Sequence, residues 1–129
     1  VKVFALYTAF LLIVLIGIAH SYLGEKYILV RLFKRDNLPK LFGSTGFTKN
    51  TLRFAWHLTT VAWFGLGVVL VLLAQDSIRV DYIGYVIAAT FFIHFAVSLI
   101  ASKGKHLSWI VFLLISLLIY FASERFTAG

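Results

Sequence analysis

The chain has 129 residues, 61% of them hydrophobic and 13% charged, with a net charge of +7 and neither cysteine nor methionine. Soluble domains are about half apolar and about a quarter charged, so this composition points to a membrane protein. It excludes disulfides, thiolate metal centres and the soft sulfur sites that select copper(I) or iron–sulfur clusters. The twelve basic residues are too few and too localised for a nucleic-acid surface, and no nucleic acid is expected as a partner. They read as topology signals and contacts with anionic lipid.

Crossing the hydrocarbon takes a run of roughly 17–25 apolar residues. The first such run extends from Val3 to about Tyr22 and carries no charge. Lys2 before it and Gly17-Ile18-Ala19 within it are reminiscent of a secretory signal, but the apolar stretch exceeds a signal core, and a membrane span is the better reading.

The following link, Leu23 to Asn50, is long and basic. Within it Ile28, Leu29, Leu32 and Phe33 repeat at helical spacing among Lys26, Arg31, Lys34 and Arg35. That pattern predicts a short amphipathic helix on anionic lipid headgroups, or a basic extension of the first span. A docking surface for a cytoplasmic partner is the alternative. Asp36-Asn37-Leu38-Pro39 reads as a turn, Gly43-Ser44-Thr45-Gly46 as a flexible loop, and Thr48 as a helix cap.

The second span runs from about Thr51 to Ala74 with Arg53 in its first turn, the third from about Tyr82 to Ala101, and the fourth from about Leu107 to Ala122. The connections Gln75–Asp81 and Ser102–Lys105 are short, so spans two, three and four are antiparallel neighbours. The expected architecture is all-α: four transmembrane helices in an up-down antiparallel bundle, forming a single domain over residues 1–129.

Lys26, Arg31, Lys34, Arg35, Lys40, Lys49, Arg53, Lys103 and Lys105 fall on one side of these spans, and Lys2, Arg79 and Arg125 on the other. The positive-inside rule makes the first side cytoplasmic and places both termini outside, on the periplasmic face of a bacterial-type inner membrane.

All four histidines, His20, His57, His94 and His106, fall toward that cytoplasmic side on four different spans. An intramembrane imidazole is costly without a partner and marks a functional hypothesis. From the helical rise, His57 and His94 lie roughly 9–10 Å below the boundary, with His20 and His106 nearer to it. Each sits on a face of its span: Arg53, His57 and Thr60 on the second; Thr90, His94 and Ser98 on the third; Ala9, Ile13, Gly17 and His20 on the first; His106, Trp109, Leu113, Ser116 and Tyr120 on the fourth. Small and polar stripes mark inward faces, and Ala62, Gly65, Gly84 and Ala88 add close-approach positions.

Three readings follow. In the first, His57 and His94, or alternatively His20 and His106, are axial ligands of haem b, with Arg53, Lys103 and Lys105 placed for its propionates. This resembles small membrane b-type cytochromes in spacing alone. The second is a transition metal held by three or four of the histidines; Glu25 is the nearest carboxylate, and the scarcity of acidic residues disfavours di-iron or zinc-hydrolase chemistry. The third is a set of interhelical hydrogen bonds and interfacial residues with no cofactor.

The expectation carried forward is an inner-membrane protein that binds haem b or a metal ion through His57, His94, His20 and His106, with Arg53 beside them. It would act as an electron-transfer or accessory redox subunit with no catalytic activity of its own. The rival is a cofactor-free structural or interaction subunit of a membrane complex or a homo-oligomer. A transporter would need further copies to form a pathway.

Overall fold

In the computed structural model, which describes residues 2–126, the regular secondary structure is all helical, and the links between helices are turns and irregular chain with one isolated bridge between Leu41 and Ser44. Val1 and residues 127–129, and with them the termini themselves, lie outside the described residues. Helix α1 runs Lys2–Leu32, α2 Gly46–Leu73, α3 Val80–Ser102 and α4 Ser108–Glu124. The first three are long and apolar enough to cross a membrane. The expected fourth span is present as an apolar helix of 17 residues, about 26 Å at 1.5 Å per residue, so three candidate spans stand where four are expected.

Helix α1 departs from expectation at its C-terminal end. It is α-helical over Lys2–Leu23, π-helical over Gly24–Leu29 and α-helical again over Val30–Leu32. Its 31 residues span about 46 Å, well beyond a hydrocarbon core of about 30 Å. The basic amphipathic stretch is therefore the continuation of α1 and not a separate helix. Its apolar side packs toward α2: Leu29 is buried, and the Arg53 guanidinium lies over the Phe33 ring at 4.9 Å.

The π turn has a geometric reason. Ser21, Glu25, Leu29 and Phe33 recur every four residues, which overshoots an α turn of 3.6 residues and carries the stripe around the helix. One wider i→i+5 turn removes that drift.

Helix α2 begins earlier than the hydropathy indicates. Thr48 lies inside it and donates to the Pro39 carbonyl at 2.9 Å, while Ser44 Oγ accepts the Gly46 N–H at 3.2 Å. The expected cap at Thr48 is therefore replaced by the tight turn before it. There, Phe42 and Gly43 have left-handed φ values of 54° and 82°, which glycine adopts at no steric cost.

Consecutive helices are antiparallel and pack closely where side chains are small. A Cβ at Gly24 would overlap the Trp56 indole, one at Gly65 the Thr90 side chain, and one at Gly84 the Ser123 side chain. Small residues that let backbones approach are the usual device in lipid, where the hydrophobic effect does not drive helices together. Gly65 and Gly84 are two of the expected close-approach positions. Ala88 is a third: it is buried and its carbonyl accepts Ser116 Oγ–H at 2.8 Å.

The order of packing differs from a closed four-helix bundle. Helix α1 packs on α2, α2 on α3 and α3 on α4, with no close backbone approach between α1 and α3, α1 and α4, or α2 and α4. The helices form a row. Only 6% of the apolar window of α1 is buried, because this edge helix has a neighbour on one side alone.

Candidate functional site

The polar side chains inside the row form two nodes. The larger lies along the half of the α1–α2 seam nearest the link between these two helices. Arg53 Nη2 is 2.9 Å from Glu25 Oε1, and Arg53 Nε donates to Oε2 at 3.2 Å, a two-point grip on one carboxylate. His57 Nε2 lies 3.3 Å from the same Oε2, and its Nδ1 is 2.9 Å from Ser21 Oγ. Ser21 Oγ is in turn 2.7 Å from Thr60 Oγ1, which donates to the Gly17 carbonyl at 3.4 Å.

Beside this chain, His20 and Trp56 bind each other twice. The indole N–H donates to the His20 carbonyl at 3.0 Å, and His20 Nε2 donates to the Trp56 carbonyl at 3.3 Å. Their rings stack at 4.6 Å, 2° from parallel. The Gly24 backbone faces the indole, and the absence of a side chain there lets Trp56 enter the seam.

The second node closes the α3–α4 turn. Ser98, which is fully buried, is 2.6 Å from Ser108 Oγ. Ser108 Oγ is 2.8 Å from His106 Nδ1, and Ser102 Oγ accepts the His106 N–H at 3.2 Å while donating to the Ser98 carbonyl. Lys103 and Gly104 take left-handed φ values of 52° and 76°, and the Gly104 N–H returns to the Leu99 carbonyl at 2.9 Å. That bond ends α3 in the manner of a Schellman turn. The His106 ring lies between Phe47 and Phe54, with centroids at 5.9 and 5.3 Å.

His94 stands apart from both nodes. It is 9% exposed, its Nδ1 is 2.7 Å from the Thr90 carbonyl, and its ring meets Phe112 edge-on at 5.4 Å. At the opposite side of the membrane, Arg79 grips Asp81 through Nε and Nη2, donates to the Tyr82 hydroxyl at 3.0 Å and lies over the Tyr82 ring. Donating hydrogen bonds to the Asp81 carboxylate holds the Arg79 guanidinium above its ordinary pKa.

These positions overturn the cofactor expectation. Among the described residues no three of His, Cys, Asp or Glu come together to hold a metal ion. His57 and His94 face different neighbours. His57 turns to α1, where both its nitrogens are engaged, and His94 lies on α3 at the far side of α2. His20 and His106 are likewise on opposite sides of α2, one stacked on Trp56 and the other held by Ser108 and two phenylalanines. Arg53, expected beside propionates, is committed to Glu25 and Phe33. The haem b reading, the histidine-ligated transition metal and the electron-transfer role built on them are corrected accordingly.

Two participants were not singled out by sequence reasoning: Ser21, and Glu25 as a partner of His57. A signal for them exists. Ser21 and Glu25 are four apart on one helix, and Arg53 and His57 are four apart on the next, a complementary pair of i,i+4 edges. With the first span ended near Tyr22, Glu25 belongs to the loop and the match cannot be seen.

No family model, curated protein or solved structure matches the chain. The arrangement of its own side chains is what bears on function.

Proposed function

We propose that this chain is a multi-pass protein of a bacterial-type inner membrane, one four-span domain over residues 1–129, serving as a cofactor-free structural or interaction subunit of a larger membrane complex. One observation carries the reading. Many of its intramembrane polar groups tie one helix to a neighbour, across the α1–α2 seam in the Glu25–His57–Ser21–Thr60 chain and across the α3–α4 seam through Ser98–Ser108 and Ser116–Ala88, while the outer faces of the row are apolar and exposed. Hydrogen bonds between helices are a recognised glue in lipid.

The finer points rest on the following. Helix α4 has 17 residues, the lower end of the spanning range of roughly 17–25. The positive-inside rule favours the α1–α2 and α3–α4 links as cytoplasmic, with both termini outside. The overhang of α1 carries Lys26 and Arg31, and the turn after it Lys34 and Arg35, beyond the hydrocarbon, where anionic headgroups attract them.

The test is native electrophoresis of gently solubilised membranes, with a visible spectrum of the purified protein before and after reduction. The expected results are migration in an assembly larger than two copies of the chain and a spectrum without a Soret band. Migration as a free monomer or dimer would overturn the subunit reading, and a Soret band the cofactor-free one.

A further inference from the structure

A groove of about 460 Å³ runs beside α2 from Thr51 to Ala62, with His94 at its floor and His106, Ser108 and Phe112 across from α2. A second groove, of about 210 Å³, continues it from Ala62 and His94 to Val69. Together they follow α2 for eighteen residues or so, about 27 Å, close to the thickness of the hydrocarbon.

The wall that α2 contributes contains a heptad stripe. Ala55, Thr59, Ala62, Leu66 and Val69 line the two grooves at spacings of four, three, four and three residues, and Leu52, three residues before Ala55, extends the repeat beyond them. Leu66 is 62% exposed, and Leu52, Ala55 and Thr59 are exposed as well. None of the six is in the seam with α1. A repeat that alternates three and four keeps a seam facing a partner helix over several turns, at a left-handed crossing of about 20°.

Two polar groups on this groove lack partners. A carbonyl only accepts, so His94 Nδ1 carries the proton in its bond to Thr90, and Nε2 is the ring's acceptor. No described residue donates to that Nε2, in a residue that is 9% exposed. Thr51 Oγ1 is enclosed and likewise without a partner among the described residues. An acyl chain offers neither nitrogen nor hydroxyl anything to bond, so lipid is a poor occupant of this surface.

We propose that the groove seats α2 of a second copy of the chain, two copies pairing in parallel through this stripe. Two membrane proteins of the same topology meet about an axis along the membrane normal, so identical residues face one another at equal depth. The small Ala55, Thr59 and Ala62 then meet small partners in the cytoplasmic half, where backbones approach closely. Thr59 also supplies the missing donor. Gly65 opposes Thr90 across the antiparallel α2–α3 seam, which sets His94 level with about residue 61, within about 3 Å of Thr59 along the axis. The Thr59 hydroxyl, held within its own helix only by a long 3.4 Å bond to Ala55, turns to the second copy's His94. The pairing deepens the subunit reading and rests on it.

The chain has no cysteine, so single-cysteine variants report cleanly. With the oxidant copper phenanthroline in native membranes, Ala55→Cys, Ala62→Cys and Leu66→Cys are expected to give a reducible dimer, and Val68→Cys and Leu15→Cys, exposed off the stripe, to give none. Adding Thr59→Val to Ala62→Cys should slow cross-linking about threefold, the size of an average interhelical hydrogen bond in a membrane, with Thr59→Ser restoring it. Cross-linking equal on and off the stripe, none on the stripe, adducts with a different protein, or an unchanged rate in Thr59→Val would overturn the proposal. A large native assembly without stripe-specific dimers removes the pairing and leaves the subunit reading; dimers without a larger assembly do the reverse.

Discussion

Glu25 shows how one residue can redirect the meaning of its neighbours. A carboxylate four residues past Ser21 receives two bonds from Arg53 and a third contact from His57, so a histidine that reads as a metal ligand becomes a member of an interhelical chain. The order of residues along a helix axis was legible in the sequence, since helical rise alone sets it. Direction around the axis was not. It depends on which neighbour each face meets, and a stripe such as Arg53, His57 and Thr60 points equally well to a central cofactor or to an adjoining helix. The energetic value of the pair is modest. Both partners remain about a third or more exposed, at 45% and 34%, and exposed ion pairs contribute about 0–1 kcal/mol. Glu25→Gln is therefore expected to lower unfolding stability in detergent by no more than about 1 kcal/mol, with less effect at high salt. A loss of several kcal/mol would show that the carboxylate carries more than this seam.

At the scale of elements, the existence and type of each helix were legible, because apolar runs of this length have few alternatives. The ends were not. Helix α1 continues past Tyr22 because Leu29 and Phe33 find α2 to pack on, a tertiary contact that hydropathy does not contain. Helix α2 starts at Gly46 because the turn at Phe42 and Gly43 supplies the geometry that ends the loop. The small residues proved more informative than the polar ones, since Gly65, Gly84 and Ala88 all sit at close approaches. Gly24 was not among them, although a Cβ there would overlap the Trp56 indole. A valine there would drive β-branched bulk into the Trp56 ring and separate the His20–Trp56 pair. Gly24→Val is expected to cost about 1–3 kcal/mol, the usual penalty of overpacking, and to shift tryptophan emission as the indole loses its place. Gly43→Ala, at a left-handed position with open space around it, would strain the turn and leave that emission unchanged. If both variants shift it alike, the seam is looser than described.

For the whole molecule, the antiparallel order of neighbours followed from short links, but closure into a bundle did not. A row of helices leaves one face of α2 and most of α1 to be covered by lipid or by protein, and it keeps His57 apart from His94, and His20 apart from His106, on opposite sides of α2. That separation is why a shared cofactor pocket fails and why a cofactor-free assembly role fits. The most direct measurement is a double-mutant cycle between Ser21 and His57, using Ser21→Ala, His57→Phe and the double variant, with reversible unfolding followed in detergent. If these side chains hold α1 to α2, the two losses fall short of additivity by about 0.6–1.7 kcal/mol, the range found for hydrogen bonds between membrane helices. Strictly additive losses would contradict it and leave His57 without the structural role assigned to it here.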